Sequence, residues 1–289
     1  MNIRELIKKG VETISVAFPE REAREMVLLY MEDVHGVKRL MHVLEPSAEV
    51  SDEVAEMSLA AFARMASGEP IQYIIGKAHF YGREFNVDPN VLIPRPETEV
   101  LCREVILHCR QGGQPKVLDM CTGSGCIAWT LAMEIPGADV TAVDISEGAL
   151  AVAMSQALTE PDASAPRFLK ADVLGEIPSE LAGKAFDIIV SNPPYVMDSE
   201  KALMRSNVLD HEPHLALFVP DDDPLLFYRA VARWASHLLV PGGFGMVEIN
   251  EALGPDTADV FVEAGFVDIE VVSDLSDRHR FVRFSRNFV

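Results

Sequence analysis

Val117-Leu118-Asp119-Met120-Cys121-Thr122-Gly123-Ser124-Gly125-Cys126-Ile127-Ala128 reads as a β-strand, a tight turn and the start of a helix. Glycine accepts positive φ and lets the backbone pass close to a ligand, so Gly123 and Gly125 suit a turn that cradles one. A Gly-x-Gly by itself is a weak signal, and its context strengthens it. Asp144 comes nineteen residues after Gly125, at the end of the next strand candidate, Val140-Thr141-Ala142-Val143-Asp144. An acid in that place can accept both hydroxyls of a ribose. The pattern fits a nucleoside-containing cofactor. It is not a P-loop, since GxxxxGK[ST] is missing. NAD stays open, although Ala128 stands where the third glycine of GxGxxG belongs. S-adenosylmethionine has no pyrophosphate and needs no third close approach. Asp172 ends the next strand, after Phe168-Leu169-Lys170-Ala171, and can bind an adenine amine or simply cap a turn.

From residue 116 onward, strands and helices alternate. Strand candidates are 116–120, 139–145, 167–171, 186–191, 244–249, 267–273 and 280–285; helical candidates are 125–134, 146–158, 224–239 and 251–264. Strand then helix, repeated, needs crossover connections and gives an α/β fold with a mostly parallel, doubly wound sheet.

The strand Phe186-Asp187-Ile188-Ile189-Val190-Ser191 ends in Asn192-Pro193-Pro194-Tyr195, at the sheet edge where such folds bind ligands. Two prolines remove two backbone donors and fix two φ angles, leaving stiff, free carbonyls. The Asn192 side-chain oxygen and the Pro193 carbonyl can then both accept from one –NH₂ group. An amide or aryl amine is a poor nucleophile because its lone pair is delocalised. Two acceptors hold and polarise it toward an adjacent methyl sulfonium, and Tyr195 can stack on its planar π system. This is catalysis by positioning and by stabilising a nitrogen that gains positive charge.

Upstream, 2–14, 19–34 and 51–66 read as helices. Ala23, Met26, Val27, Tyr30, Met31 and Val34 share one face of the second; Val54, Met57, Ala61, Phe62 and Met65 form the stripe of the third, with Ser51 as its N-cap. Residues 1–70 are therefore a small helical bundle, closed by Ser67-Gly68-Glu69-Pro70. Residues 71–98 read as a β-hairpin linker of short β segments, with glycines at 76 and 82. Arg95-Pro96-Glu97-Thr98-Glu99 then starts a helix, and 99–289 forms the second domain. Cys102 and Cys109, seven apart, fall on one face of that helix and read as core residues.

Lys+Arg is 25 and Asp+Glu 45, a net charge of −20 that repels phosphate backbones. It points away from direct nucleic-acid binding and toward a small molecule or a positively charged protein partner. With 48% hydrophobic and 24% charged residues, the chain is globular rather than disordered. No apolar run reaches the roughly 20 residues that cross a bilayer, and charges sit where a signal peptide has its apolar stretch. A soluble cytoplasmic protein with no membrane partner is expected. Cys102, Cys109, Cys121 and Cys126 are too few for a disulfide framework. Cys121 and Cys126 flank the glycines instead of forming a CxxC pair, so no metal site is expected.

The tetrapeptide, with Asp119–Gly125 and Asp144, resembles the amino-methyltransferases that use S-adenosylmethionine. His79-Phe80-Tyr81-Gly82-Arg83-Glu84-Phe85-Asn86-Val87 and Val91-Leu92-Ile93-Pro94-Arg95-Pro96-Glu97-Thr98-Glu99 narrow the likeness to the peptide chain release factor glutamine N5-methyltransferases, the PrmC/HemK family. The N-terminal bundle matches too, so the resemblance spans nearly the whole chain. It implies a Rossmann-like S-adenosylmethionine-dependent methyltransferase fold behind a helical, release-factor-binding domain. It implies methyl transfer from S-adenosyl-L-methionine to the side-chain N5 of the glutamine in a release factor's Gly-Gly-Gln motif, with S-adenosyl-L-homocysteine as product. Carried over by position, Cys121, Thr122, Gly123, Ser124, Gly125, Asp144, Asp172, Val173 and Asn192 would hold the cofactor, with Thr98 and Glu99 close to its end of the site. Asn192, Pro193, Pro194, Tyr195, Phe85 and Arg95 would hold the glutamine, with Asn192, Pro193 and Tyr195 carrying the chemistry.

There are departures. The family commonly has glycine where this chain has Cys121, and cysteine tolerates positive φ poorly, so that position is either unstrained or the loop shifts. Cys121–Cys126 and His211-Glu212-Pro213 resemble a sister group that methylates a glutamine of a large-subunit ribosomal protein, whereas Arg95–Glu99 favours the release-factor group. Asp274-Leu275-Ser276-Asp277-Arg278 lacks an expected glycine, which leaves Arg278 without a role. An adenine-N6 nucleic-acid methyltransferase would use the same tetrapeptide but must flip a base and clamp a phosphate backbone, against the charge. A non-catalytic ribosome-associated module has no use for an intact tetrapeptide.

Overall fold

The computed structural model describes residues 1–109, 113–156, 163–274 and 277–288. Two compact units emerge: Met1–Lys77 with Arg205–His211, and Ala78–Met204 with Glu212–Val289.

The first unit holds helices α1 (Ile3–Ile14), α2 (Glu20–His35), α3 (Met41–Leu44), α4 (Asp52–Ala66) and α5 (Ile71–Ile75). Asn2 and Glu5 form a reciprocal capping box at the start of α1, and Ser51 caps α4 by accepting from the Val54 amide. The inner face of α1 carries Ile3, Leu6, Ile7, Gly10, Val11 and Ile14. A Cβ at Gly10 would stand 2.6 Å from Phe62 Cε2 and 2.9 Å from Val27 Cγ2, so only glycine lets the three helices close to this distance. Two stripe residues expected inside lie outside: Met57 and Val34 are 48% and 38% exposed. Helix α4 is rotated so that the small Ala55 and Ser58 face inward, and the Ser58 hydroxyl meets His35 Nε2 at 3.1 Å. Residues 71–75, expected as β, form one helical turn instead. Pro70 presets its entry (φ −58°), Gly76 ends it in the left-handed region (φ 79°), and Ile71 joins the bundle core.

Strands β1 (Lys77–Phe80) and β2 (Arg83–Asn86) make the expected hairpin. Its two turn residues, Tyr81 (φ 50°) and Gly82 (φ 72°), are both left-handed, as a two-residue turn matched to strand twist requires. Then follow α6 (Thr98–His108), β3 (Lys116–Met120), α7 (Cys126–Glu134), β4 (Asp139–Asp144), α8 (Glu147–Met154), β5 (Arg167–Lys170), β6 (Phe186–Ser191), β7 (Val196–Met197), α9 (Ser206–Leu209), β8 (Phe218–Val219), α10 (Leu226–Leu238), β9 (Leu239–Glu248), α11 (Gly254–Glu263), β10 (Val267–Ser273) and β11 (His279–Ser285). Helix α9 lies in the segment assigned to the first unit. Of the helix expected over 146–158, residues 157 and 158 fall outside the described residues.

The main sheet runs β10-β11-β9-β6-β3-β4-β5. The strands from β9 to β5 are parallel; β11 pairs antiparallel with β9, and β10 antiparallel with β11. The chain steps outward from β3 through β4 to β5, then crosses back to β6 on the other side of β3. A doubly wound sheet opens a ligand crevice at such a reversal, beyond the carboxyl ends of the strands. Alternation along β3 builds a core on each face: Leu118 and Met120 pack with Trp234 and Tyr228, and Val117 packs with Trp129 and Leu101. Among the described residues, no helix is long and apolar enough to cross a membrane.

Candidate active site

A cavity of about 260 Å³ opens at the crevice. Its floor is the turn after β3. Cys121, Gly123 and Gly125 all take left-handed φ (61°, 55° and 78°). Cys121 is therefore held in the left-handed region that a glycine enters freely and bears the cost, which for a residue with a Cβ is about 1–2 kcal/mol. Burial, and next the charge of Asp144, push its thiol pKa far up, so it is neutral. Space is open within 4 Å of a Cβ built at Gly123, whereas one at Gly125 would stand 3.0 Å from Ala153 Cβ. Gly123 therefore leaves room beside the cavity, and Gly125 serves helix packing.

Asp144 Oδ2 accepts the Gly123 amide at 2.8 Å and Oδ1 accepts the Ser146 amide at 2.9 Å. Burial raises the carboxyl's pKa and these amides oppose the rise. Each oxygen keeps lone pairs for a further donor. Beneath the turn, Asp119 is fully buried; its Oδ2 accepts the Thr122 hydroxyl at 2.5 Å, while Oδ1 has no hydrogen-bond partner among the described residues. Burial pushes the Asp119 carboxyl up to about 7, against the Thr122 hydrogen bond. Asp172 Oδ1 accepts the Leu174 amide at 2.9 Å, the turn-capping arrangement, and the residue also lines the cavity.

The Asn192 side chain lines the same cavity. Its Nδ2 donates to Thr98 Oγ1 at 3.2 Å, Thr98 Oγ1 donates to Glu248 Oε2 at 2.6 Å, and the Tyr195 hydroxyl donates to Glu248 Oε1 at 3.0 Å. Asn192 Oδ1 and the Pro193 carbonyl make no hydrogen bond among the described residues. Asn250 Nδ2 donates to the Tyr195 carbonyl at 3.2 Å, pinning the far end of the tetrapeptide. Glu248 is 2% exposed. Burial raises its pKa, opposed by the Thr98 and Tyr195 hydroxyls and then by Arg280.

The expected site residues Arg95, Thr98, Cys121, Thr122, Gly123, Ser124, Asp144, Asp172, Val173, Asn192 and Pro194 all line the cavity. Arg95 donates to Glu212 Oε1 at 2.6 Å, and Glu212 Oε2 also takes the Ile93 amide at 3.2 Å. Arg95 is half-buried and Glu212 buried, and Pro213, Leu215 and Ala216, just after Glu212 in the chain, also line the cavity. Gly125, Pro193 and Tyr195, expected in the site, are not among the lining residues. Two further expectations need correction. Phe85 is 2% exposed and packs edge to face with Phe80 (centroids 6.0 Å apart), because the hairpin turns its apolar side into the sheet core. Glu99 does not line the cavity: its Oε1 accepts the Tyr81 amide at 2.9 Å and so ties α6 to the hairpin turn. Arg278 pairs with Glu251 at 3.8 Å, both exposed, and has no part in the lining. Sequence reading missed Glu248 and Gln156. Gln156 accepts the Asn86 amide and donates to the carbonyls of Asn86 and Ser124, clasping the hairpin to the turn. The one available signal for Glu248 was an acid within an otherwise apolar strand, Phe244-Gly245-Met246-Val247-Glu248-Ile249.

A parallel sheet with its switch point between β3 and β6, a glycine turn fixed to an acid, and an Asn-Pro-Pro-Tyr segment whose Asn192 and Pro194 line the same cavity define a methyltransferase of the S-adenosylmethionine-dependent class. The family described as methyltransferase small domain matches residues 98–214, and that described as PrmC N-terminal domain matches residues 5–76. A release factor glutamine methyltransferase of Flavobacterium psychrophilum is 37% identical over 98% of this chain and 99% of its own length. One from Bacteroides thetaiotaomicron is 41% identical over 95% and 97%, and one from Bacillus subtilis 38% over 96% and 96%. The chain belongs to the release factor glutamine methyltransferase family.

Proposed function

We propose that the protein transfers a methyl group from S-adenosyl-L-methionine to the side-chain N5 of the glutamine in the Gly-Gly-Gln motif of peptide chain release factors. The observation that carries this reading is the pair of unpartnered acceptors, Asn192 Oδ1 and the Pro193 carbonyl, set on one stiff segment beside the cavity that Asp144 and Asp172 line. A primary amide has the two N–H donors that such a pair takes. The names of the relatives support release factors as the source of that amide.

The residues present fit the cofactor. Asp144 retains free lone pairs for two ribose hydroxyls, Gly123 leaves room for close approach, and Asp172 with buried Val173 offers a polar and an apolar contact for the base. When bound, S-adenosyl-L-methionine supplies an activated methyl group on a positively charged sulfur. Asn192 Oδ1 and the Pro193 carbonyl draw on the two N–H groups of the amide, fix its plane and favour the positive charge that nitrogen gains. The proton then passes to solvent water, which is base enough because an alkylated amide nitrogen is a strong acid. The helical unit docks the release factor in this reading, and the enzyme's negative charge meets a basic partner.

Mass spectrometry tests it. A release factor incubated with enzyme and S-adenosyl-L-methionine gains one methyl mass on the Gly-Gly-Gln peptide, located at glutamine. An unmodified peptide overturns the proposal.

A further inference from the structure

Glu248, at the end of β9, does not line the cavity, yet its Oε2 accepts the hydroxyl of Thr98, which does, and its Oε1 accepts that of Tyr195. A carboxylate only accepts hydrogen bonds. The hydroxyl proton of Thr98 is thereby committed to Glu248, and Thr98 Oγ1 can meet Asn192 only as an acceptor. Asn192 must present Nδ2 to it, at 3.2 Å. An asparagine amide has nearly the same shape with its oxygen and nitrogen exchanged, so packing alone does not choose between the two orientations; hydrogen bonding does. With Nδ2 held, Oδ1 is the atom left for the substrate. The reversed amide would set donors against the donors of a substrate –NH₂.

We infer that Glu248 is a positioning residue for methyl transfer: acting through Thr98, it fixes the Asn192 amide with Oδ1 toward the substrate nitrogen. The inference rests on the function proposed above. The second oxygen serves the same end, since the Tyr195 hydroxyl and the Asn250–Tyr195 carbonyl bond anchor the tetrapeptide that carries Asn192. The order of donation therefore runs inward to one buried carboxylate: Asn192 to Thr98 to Glu248, with Tyr195 converging on the same group.

Glu248→Gln keeps the shape but offers one acceptor oxygen to two hydroxyls. It lowers kcat on a release factor by about ten- to a hundredfold, less than the roughly hundred- to thousandfold of losing a preorganised group at the reacting centre, because Asn192 itself stays in place; KM and cofactor Kd move by no more than about twofold. Thr98→Val, without the hydroxyl, lowers kcat similarly, and Thr98→Ser regains most of the loss. Because the two residues act in series, the double variant Glu248→Gln/Thr98→Val is slower than the worse single variant by no more than about twofold. Losses that multiply, or Thr98→Val with unchanged kcat, overturn the inference. The Thr98 variants decide the matter even if Glu248→Gln does not fold. The side-chain amide NMR signals of Asn192, assigned with Asn192→Ala, give a readout that needs no substrate. They match the wild type in Thr98→Ser and shift in Thr98→Val and Glu248→Gln; unchanged signals in the last two overturn the inference. A wild-type enzyme that leaves release factors unmethylated contradicts the proposed function instead, and the NMR comparison still tests the network.

Discussion

Gly123 donates its backbone N–H to Asp144 Oδ2 at 2.8 Å, which makes the turn after β3 and the acid at the end of β4 one rigid piece. The parallel register that sets Met120 beside Val143 brings the two strand ends together, and the Thr122 amide accepts no role outside this piece because it donates to the Val143 carbonyl at 3.0 Å. Asp144 thus enters the site already oriented, with free lone pairs on both oxygens.

If Asp144 holds a ribose as proposed, Asp144→Ala removes two hydrogen bonds to it, each of about 1.5–3 kcal/mol when one partner is charged. The Kd for S-adenosyl-L-methionine should rise by about a hundredfold or more in titration calorimetry. A Kd within about twofold of wild type would take the ribose away from Asp144.

Asp119 gives a pH signature. Its folded pKa of about 7 lies above the ordinary carboxylate value, so between the two the folded protein holds a proton that the unfolded chain has released. The contribution to stability is complete below about pH 4 and is lost as pH rises to about 7. Urea unfolding of wild type and Asp119→Asn across that range should show the wild type losing stability relative to the variant. Parallel curves would mean that Asp119 titrates normally.

Tyr195→Phe keeps the ring but leaves Glu248 Oε1 without its hydroxyl donor. An orphaned buried acceptor costs about 1–3 kcal/mol, more for a charged group, so the midpoint of denaturation should fall measurably. An unchanged midpoint would mean that water replaces the hydroxyl.

The net charge of −20 predicts salt-sensitive association with a basic partner. Stopped-flow association with a release factor should slow as ionic strength rises from about 0.05 to about 0.5 M, where screening shortens to a few ångströms. A rate constant indifferent to salt would contradict electrostatic steering.

What the sequence disclosed was local. The glycine turn, Asp144 and Asn192–Tyr195 each carry their meaning in a few neighbouring residues, and strand alternation supplied the order in which they meet. Glu248 and Gln156 act through partners 150 and 70 residues away, Thr98 and Asn86, and no local pattern encodes such a contact. Phe85 sits in a motif where an aromatic ring serves equally to bind substrate or to fill a core, and burial decided for the core. Met57 lay on a stripe that period alone allowed, but the close helix contact at Gly10 and Phe62 favoured the face bearing smaller residues. The turn at 71–75 was hidden because Ile71, Tyr73, Ile74 and Ile75 suit a strand and a helix alike until Pro70 and Gly76 are read as its caps.

The central claim is that Asn192 holds the amide that is methylated. Single-turnover methyl transfer to a release factor by wild type and Asn192→Ala, each saturated with S-adenosyl-L-methionine, measures it most directly. The account predicts a loss of about a hundredfold or more in the chemical rate, with the fold and most cofactor affinity intact. A rate near that of wild type would contradict it and reduce Asn192-Pro193-Pro194-Tyr195 to a rigid loop.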